Sequence, residues 1–175
     1  IEASPHPENA VPSAERLPGA MPAAGHLEHM PAHIMQRVGR YGDAAMANRK
    51  GAAADVAYFA HTTPPDYYAM YTAHNYEFLA FSTAMQGRKA DTLDAARKAR
   101  AIISDDLLMA MPGQDWYLAE TYATMVRFGM WDEMLAENPP SSQLTALTGG
   151  YRYGRVVALA AKKRTGEATA ELAEL

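Results

Sequence analysis

A chain of 175 residues, 49% apolar and 21% charged, is long enough to bury a core and too apolar to stay disordered. Its net charge of -4 comes from 20 acidic and 16 basic residues, with the Lys and Arg scattered, so the sequence shows no basic stripe for neutralising phosphates and nucleic acid is not an expected partner. The absence of cysteine removes disulfides, thiolate ligands and a cysteine nucleophile, and no apolar run reaches the roughly eighteen residues of a membrane span. The expectation is a soluble protein whose compartment, cytoplasm or periplasm, stays open.

In chain order, the opening segment "IEASPHPENAVPSAERLPGAMP" places Ala10, Ala14 and Leu17 at the spacing of one helix face, with Pro22 closing it. "GHLEHMPAHIMQRVGRYGDAAMAN" then carries His26, His29 and His33 at i, i+3 and i+7, a single helical face, before Gly39 and a second helix. Pro31 complicates that run, because it has no N–H and clashes one turn back. Either the helix starts near Met30, with His26 and His29 on an entering loop, or it bends at Leu27. Residues 57–73 read as an inserted loop rich in tyrosine, with Pro64-Pro65 and His61, feeding into His74. It is either a lid over a site or filler between helix pairs.

A pattern of apolar helix, glycine and second helix recurs at Gly39, Gly87, Gly129 and Gly166, with spacings of 48, 42 and 37 residues by subtraction. The expected organisation is one all-α domain over 1–175: a partial repeat 1–24, helix hairpins at about 25–56, 73–105, 115–138 and 150–175, and the insertion 57–73. Pro5 lies 34 residues before Gly39, so Ile1 falls mid-repeat, and the last helix runs to Leu175 without a cap. Both ends read as cut from a longer array, and exposed ends of this kind are candidates for oligomerisation.

The period and the positions of small residues resemble the tetratricopeptide repeat, a helix-turn-helix unit of about 34 residues. The strings "GHLEHMPAHIMQRVGRYGDAAMAN", "TAHNYEFLAF" and "RFGMWDEMLAEN" are similar to a group of bacterial tetratricopeptide proteins marked by His-Met-Pro-x-His-Ile and a later His-Asn-x-x-Phe-Leu. The resemblance implies a right-handed α-solenoid whose first helices line a concave groove, and in that group further histidines precede the segment that begins here as Ile1-Glu2. With Gly39 and Gly87 as repeat position 15, the groove positions of two successive hairpins become His26, His29, His33, Gln36 and Arg37, then His74, Glu77, Phe81, Ala84 and Met85. Glu77 stands where the second motif often has another histidine.

Imidazoles with a carboxylate suit Zn, Cu or Fe, and three such ligands with an open position make a reactive site. His29, His33 and His74 are the candidate first ligands, with His26 or Glu77 completing or supporting them. A divalent transition metal is weighed against a hydrogen-bonded polar network and against a groove that recognises an acidic group on a partner. The metal reading leaves catalysis open: with a free coordination position the chain could act as a metal-dependent hydrolase or oxidoreductase of unknown substrate, with a small molecule at the metal, or bind the metal without catalysing a reaction. The rival functions are a scaffold that docks a peptide or protein in the groove, and a structural segment of a larger protein.

Gln36, Arg37, Tyr71, Asn75, Trp116 and Arg127 are further candidates for groove or ligand contact. Arg37, Arg127 and Arg164 share one repeat position, either as a basic ladder or as solvated surface. Trp116, Tyr117, Tyr122, Phe128 and Trp131 fall at helix-packing spacings, and Met30 and Met35 read as core filler rather than thioether ligands. "GGYRYGR" lacks the Lys-Ser/Thr ending of a phosphate loop and is read as the entry to the last hairpin.

Overall fold

The computed structural model describes residues 2–65 and 67–175, with Tyr117 described by its backbone only. All regular structure is helical; no strand occurs among the described residues. The chain divides into two compact units, Ile1–Ile102 and Ile103–Leu175. The first holds a short 3-10 turn at Pro7–Ala10 and six helices: α1 (Val11–Arg16), α2 (Gly25–His29), α3 (Pro31–Arg37), α4 (Tyr41–Phe59), α5 (Tyr68–Met85) and α6 (Lys89–Ile102). The second holds α7 (Asp105–Ala110), a 3-10 turn at Trp116–Ala119, α8 (Glu120–Arg127), α9 (Trp131–Ala136), α10 (Thr145–Ala161) and α11 (Thr165–Ala173).

One turn is built four times. Gly39, Gly87 and Gly129 have φ of 77°, 71° and 65°, and Lys163 takes the same left-handed conformation at 60°. In each case the next N–H reaches back five residues: Arg40 to Met35 O (2.8 Å), Arg88 to Thr83 O (3.0 Å), Met130 to Met125 O (2.8 Å) and Arg164 to Leu159 O (2.9 Å). This 6→1 bond satisfies a carbonyl left over at the helix end, and the left-handed residue lets the chain reverse.

Two expectations are corrected here. Gly166 does not make the fourth turn; it lies inside α11, and Lys163 holds the strained position. The last spacing is therefore 163 minus 129, or 34 residues, not 37. Arg164 accordingly leaves the position shared by Arg37 and Arg127. It follows the turn as Arg40 and Arg88 do, and its guanidinium binds Glu167 at 2.6 and 2.7 Å.

Pro31 resolves between its two geometries by a break. It opens α3 at the first helical position, where a missing N–H costs nothing, while α2 is a separate short helix that ends as Met30 turns into it. Of residues 57–73, 57–59 belong to α4 and 68–73 to α5, so helix rather than loop takes up much of the expected insertion. His61 is exposed in the short connection.

Small side chains set the packing of the first unit. Ala14, Ala32, Ala44 and Ala47 gather with Met35 in one buried cluster, and Ala45, Ala80, Ala95 and Ala96 with Leu79 in another. Alanine at helix contacts lets the backbones approach closely without voids. The tightest approach is between α2 and α4. A Cβ on Gly25 would run into Asp55 Oδ1, and one on Gly51 would meet Gly25 O at 2.7 Å and His29 Cβ at 3.0 Å. In the second unit Met125, Met134, Leu147 and Leu159 are fully buried; Asp115 accepts the Leu147 N–H at 2.9 Å, and Glu171 binds both Arg152 and Arg155 at 3.1 Å. Tyr122 is buried, Phe128 and Trp131 are half-buried, and Trp116 is 61% exposed, so Trp116 is not the core residue its spacing suggests. The side chain of Tyr117 lies outside the described residues. Met35 is core, as expected.

Candidate metal centre

Four helices deliver the cluster. The glycine contact draws α2 onto α4, which puts the fully buried His29 beside Asn48 of α4. His33 follows four residues later on α3, and α5 brings His74 in from the other side. The ring of His74 lies 4.8 Å from that of His29 and 5.6 Å from that of His33. Each of the three offers a ring nitrogen, and the three nitrogens lie within 4.8 Å of one another. Phe78, one turn beyond His74, packs its ring 4.5 to 5.0 Å from all three and supplies an apolar wall.

The hydrogen bonds fix which nitrogens face inward. His29 Nδ1 lies 2.6 Å from Asn48 Oδ1 and His33 Nδ1 lies 2.8 Å from Glu2 Oε1. A carboxylate and an amide oxygen can only accept, so both Nδ1 atoms carry hydrogen and donate. That arrangement turns the two Nε2 atoms toward each other at 2.9 Å. Two lone pairs at this distance repel, and a proton or a cation between them removes the repulsion. His74 has a weaker counterpart, with Glu77 Oε2 at 3.8 Å from its Nδ1. Carboxylate or amide groups on the outer nitrogen of an imidazole hold the tautomer and ring orientation that metal ligation needs.

Electrostatics keep His29 neutral. Burial pushes the His29 imidazole down to about 3, opposed by the Asn48 hydrogen bond and reinforced by His74, His33 and His26. Burial, then His74 and His33, also lower His26. His26 stacks on His29 with centroids 5.3 Å apart, and its Nδ1 is buried without a hydrogen-bond partner among the described residues. Tyr71, 44% exposed, lies edge-on to His26 at 4.9 Å.

The other candidates are committed elsewhere. Gln36 donates to Phe78 O at 3.0 Å and Ser82 Oγ at 2.9 Å, tying α3 to α5. The Arg37 guanidinium binds the backbone carbonyls of Glu2 and, at 3.2 Å, Ser4, which holds the N-terminal segment beside His33. Asn75 is fully buried and donates to Asp55 Oδ2 at 2.8 Å. Trp116 and Arg127 belong to the second unit, both exposed. Residue-by-residue reading of the sequence missed Asn48, Glu2, Phe78 and Asp55. Phe78 stands one helical turn after His74 and was findable by that spacing; Asn48 and Glu2 come from distant segments and carry no such signal.

No family model, curated protein or solved structure matches this chain. No helix of the described residues is long and apolar enough to cross a membrane.

Proposed function

We propose that the chain is a tetratricopeptide-like protein of the α-solenoid class that binds one divalent transition metal, Zn, Cu or Fe, through His29, His33 and His74. The recurrent turn and its final 34-residue spacing support the repeat assignment. The observation that carries the metal reading is the facing pair of Nε2 atoms, each fixed by an acceptor behind it, with a third imidazole alongside.

Ligands about 2.0 to 2.1 Å from a tetrahedral metal stand roughly 3.3 Å apart. Parting the His29 and His33 rings from 2.9 Å by a few tenths of an ångström meets that requirement for the pair, and His74, whose nitrogen lies within 4.8 Å of theirs, closes in to meet it for the third. The fourth position takes water or a small molecule, or a side chain beside the cluster, Glu77 or His26, that moves in to complete the set. A metal held by neutral imidazoles with one position open can polarise a bound water or exchange an electron, the chemistry of a hydrolase or an oxidoreductase. Peptide docking is the weaker reading, because Gln36 and Arg37, which would clamp a peptide, already bind the chain itself.

The test is elemental analysis of protein purified without chelator and then offered Zn, Cu and Fe. About one equivalent is expected, and Ala at His29, His33 or His74 should each strip it while Ala at the exposed His6 should not. Less than about a tenth of an equivalent in the wild type overturns the proposal.

A further inference from the structure

Asp55 is 1% exposed, and all three groups that bind it are neutral: Tyr68 Oη at 3.1 Å, Thr72 Oγ1 at 3.1 Å and Asn75 Nδ2 at 2.8 Å. Among the described residues it forms no ion pair. A buried carboxylate without a cation is costly, and an asparagine would tie the same helices together at lower cost. A carboxylate adds the ability to take a proton. Burial pushes its carboxyl up, and burial with the Asp55 charge pushes the Tyr68 phenol up to about 12, so at rest the proton stays on the phenol.

Tyr68 also stands in a file of rings. Its centroid is 5.6 Å from that of Tyr58, which is 43% exposed, and 5.9 Å from that of Tyr71. Tyr71 is 4.9 Å from His26, and His26 stacks on the buried His29. Adjacent aromatic rings at these separations are in or near contact. The file therefore runs without a break from the surface to the three-histidine cluster.

We propose that Tyr68 and Asp55 form a redox-active tyrosine and its proton acceptor, and that Tyr71 and His26 connect them to the metal centre. The inference rests on the metal reading, in its copper or iron form. An electron leaves the Tyr68 ring and passes through Tyr71 and His26 to the oxidised metal ion, which falls by one unit of charge. Oxidised phenol is a strong acid, so the Oη proton moves to the Asp55 carboxylate, leaving a neutral tyrosyl radical beside a carboxylic acid. A one-electron reductant of the ascorbate or thiol class, meeting the exposed Tyr58, returns the electron as Asp55 returns the proton. Over two such turns one hydrogen peroxide accepts one electron from each reduced metal ion and, with two protons from solvent, leaves as two waters, so the oxidised metal is restored each time. Such a relay lets the metal exchange electrons with a donor that never enters the site.

The experiment has two arms. In the first, chelator-treated protein is oxidised by photogenerated tris(bipyridine)ruthenium(III), and tyrosyl radical is followed by optical absorption and electron paramagnetic resonance. A long-lived radical is expected, lost in Tyr68→Phe and retained in Tyr67→Phe, with formation slowed in heavy water. Asp55→Asn should abolish that isotope effect. Tyr68→Phe removes one hydroxyl from a half-buried ring and keeps the assay usable should Asp55→Asn fail to fold. A radical indifferent to Tyr68→Phe overturns the proposal. In the second arm, copper-loaded protein receives hydrogen peroxide, and the same radical should appear, slowed by Tyr71→Phe. One bound equivalent of copper with no radical overturns the relay and leaves the metal site standing. Failure to bind either copper or iron overturns the relay, whatever the first arm shows, and the metal reading falls with it when zinc is refused as well.

Discussion

Gly51 and Gly42 sit on the same helix, α4, and their replacement by alanine should change stability in opposite directions. At Gly42 nothing lies within 4 Å of the added Cβ. There the change lowers the entropy of the unfolded chain and favours helix, a gain of a few tenths to about 1 kcal/mol. At Gly51 the same gain meets Gly25 O at 2.7 Å, about 0.7 Å inside the 3.4 Å of an ordinary contact, and His29 Cβ at 3.0 Å. A backbone carbonyl cannot swing aside, so α2 must retreat from α4, and overpacking of this kind costs about 1 to 3 kcal/mol or more. The net expectation is a loss of about 1 to 2 kcal/mol. The retreat also carries His29 away from Asn48, whose hydrogen bond is 2.6 Å long, so metal affinity should fall in the same variant. Urea unfolding in chelator measures the stabilities, and competition with a metal indicator measures the affinity. Equal stabilisation by both variants, with unchanged affinity for Gly51→Ala, would refute the claim that the α2–α4 contact builds the site.

Lys163→Gly should stabilise the second unit by about 1 kcal/mol, since Lys163 is held at φ 60° where a Cβ is strained; no gain in its thermal or urea transition would contradict the repeated-turn account. Acid should unfold the first unit through His29. Its folded value near 3 lies below the ordinary 6.5, so the unfolded state binds the extra proton; the contribution is full above pH 6.5 and is lost as pH falls toward 3, by several kcal/mol in all. Asp55, raised by burial, takes a proton more readily in the fold and offsets part of that loss at the acid end. Urea unfolding between pH 7.5 and 4 in chelator should show this slope flattened in His29→Gln, and an unchanged slope would argue against His29 as its source.

What the sequence made legible was local. Helical spacing placed His26, His29 and His33 on one face, and the glycine pattern found three of the four turns, because apolar period and left-handed glycine are signals carried by the neighbouring residues themselves. The fourth turn was invisible for the same reason: Lys163 adopts a conformation its side chain disfavours, and a glycine three residues later attracted the assignment. Bringing His74 to the other two histidines depended on aligning two hairpins by Gly39 and Gly87, and the two glycines do occupy equivalent turns. The partners that orient the rings come from 19 and 31 residues away in sequence, and no periodicity links them to the histidines. Asp55 and Tyr68 are likewise joined only by the meeting of α4 and α5. Of the two readings of Trp116, its exposure removes the packing one and leaves the groove one untouched, because helical spacing does not distinguish a buried face from a solvated one in a short 3-10 turn.

X-ray absorption at the metal edge tests the central claim most directly, since it reads the ligands rather than the stoichiometry. The account predicts a first shell dominated by three imidazole nitrogens, about 2.0 to 2.1 Å away for zinc, with the outer-ring scattering of histidine reduced by one ligand in His74→Ala. A shell of oxygens alone, or a histidine count untouched by that substitution, would contradict it.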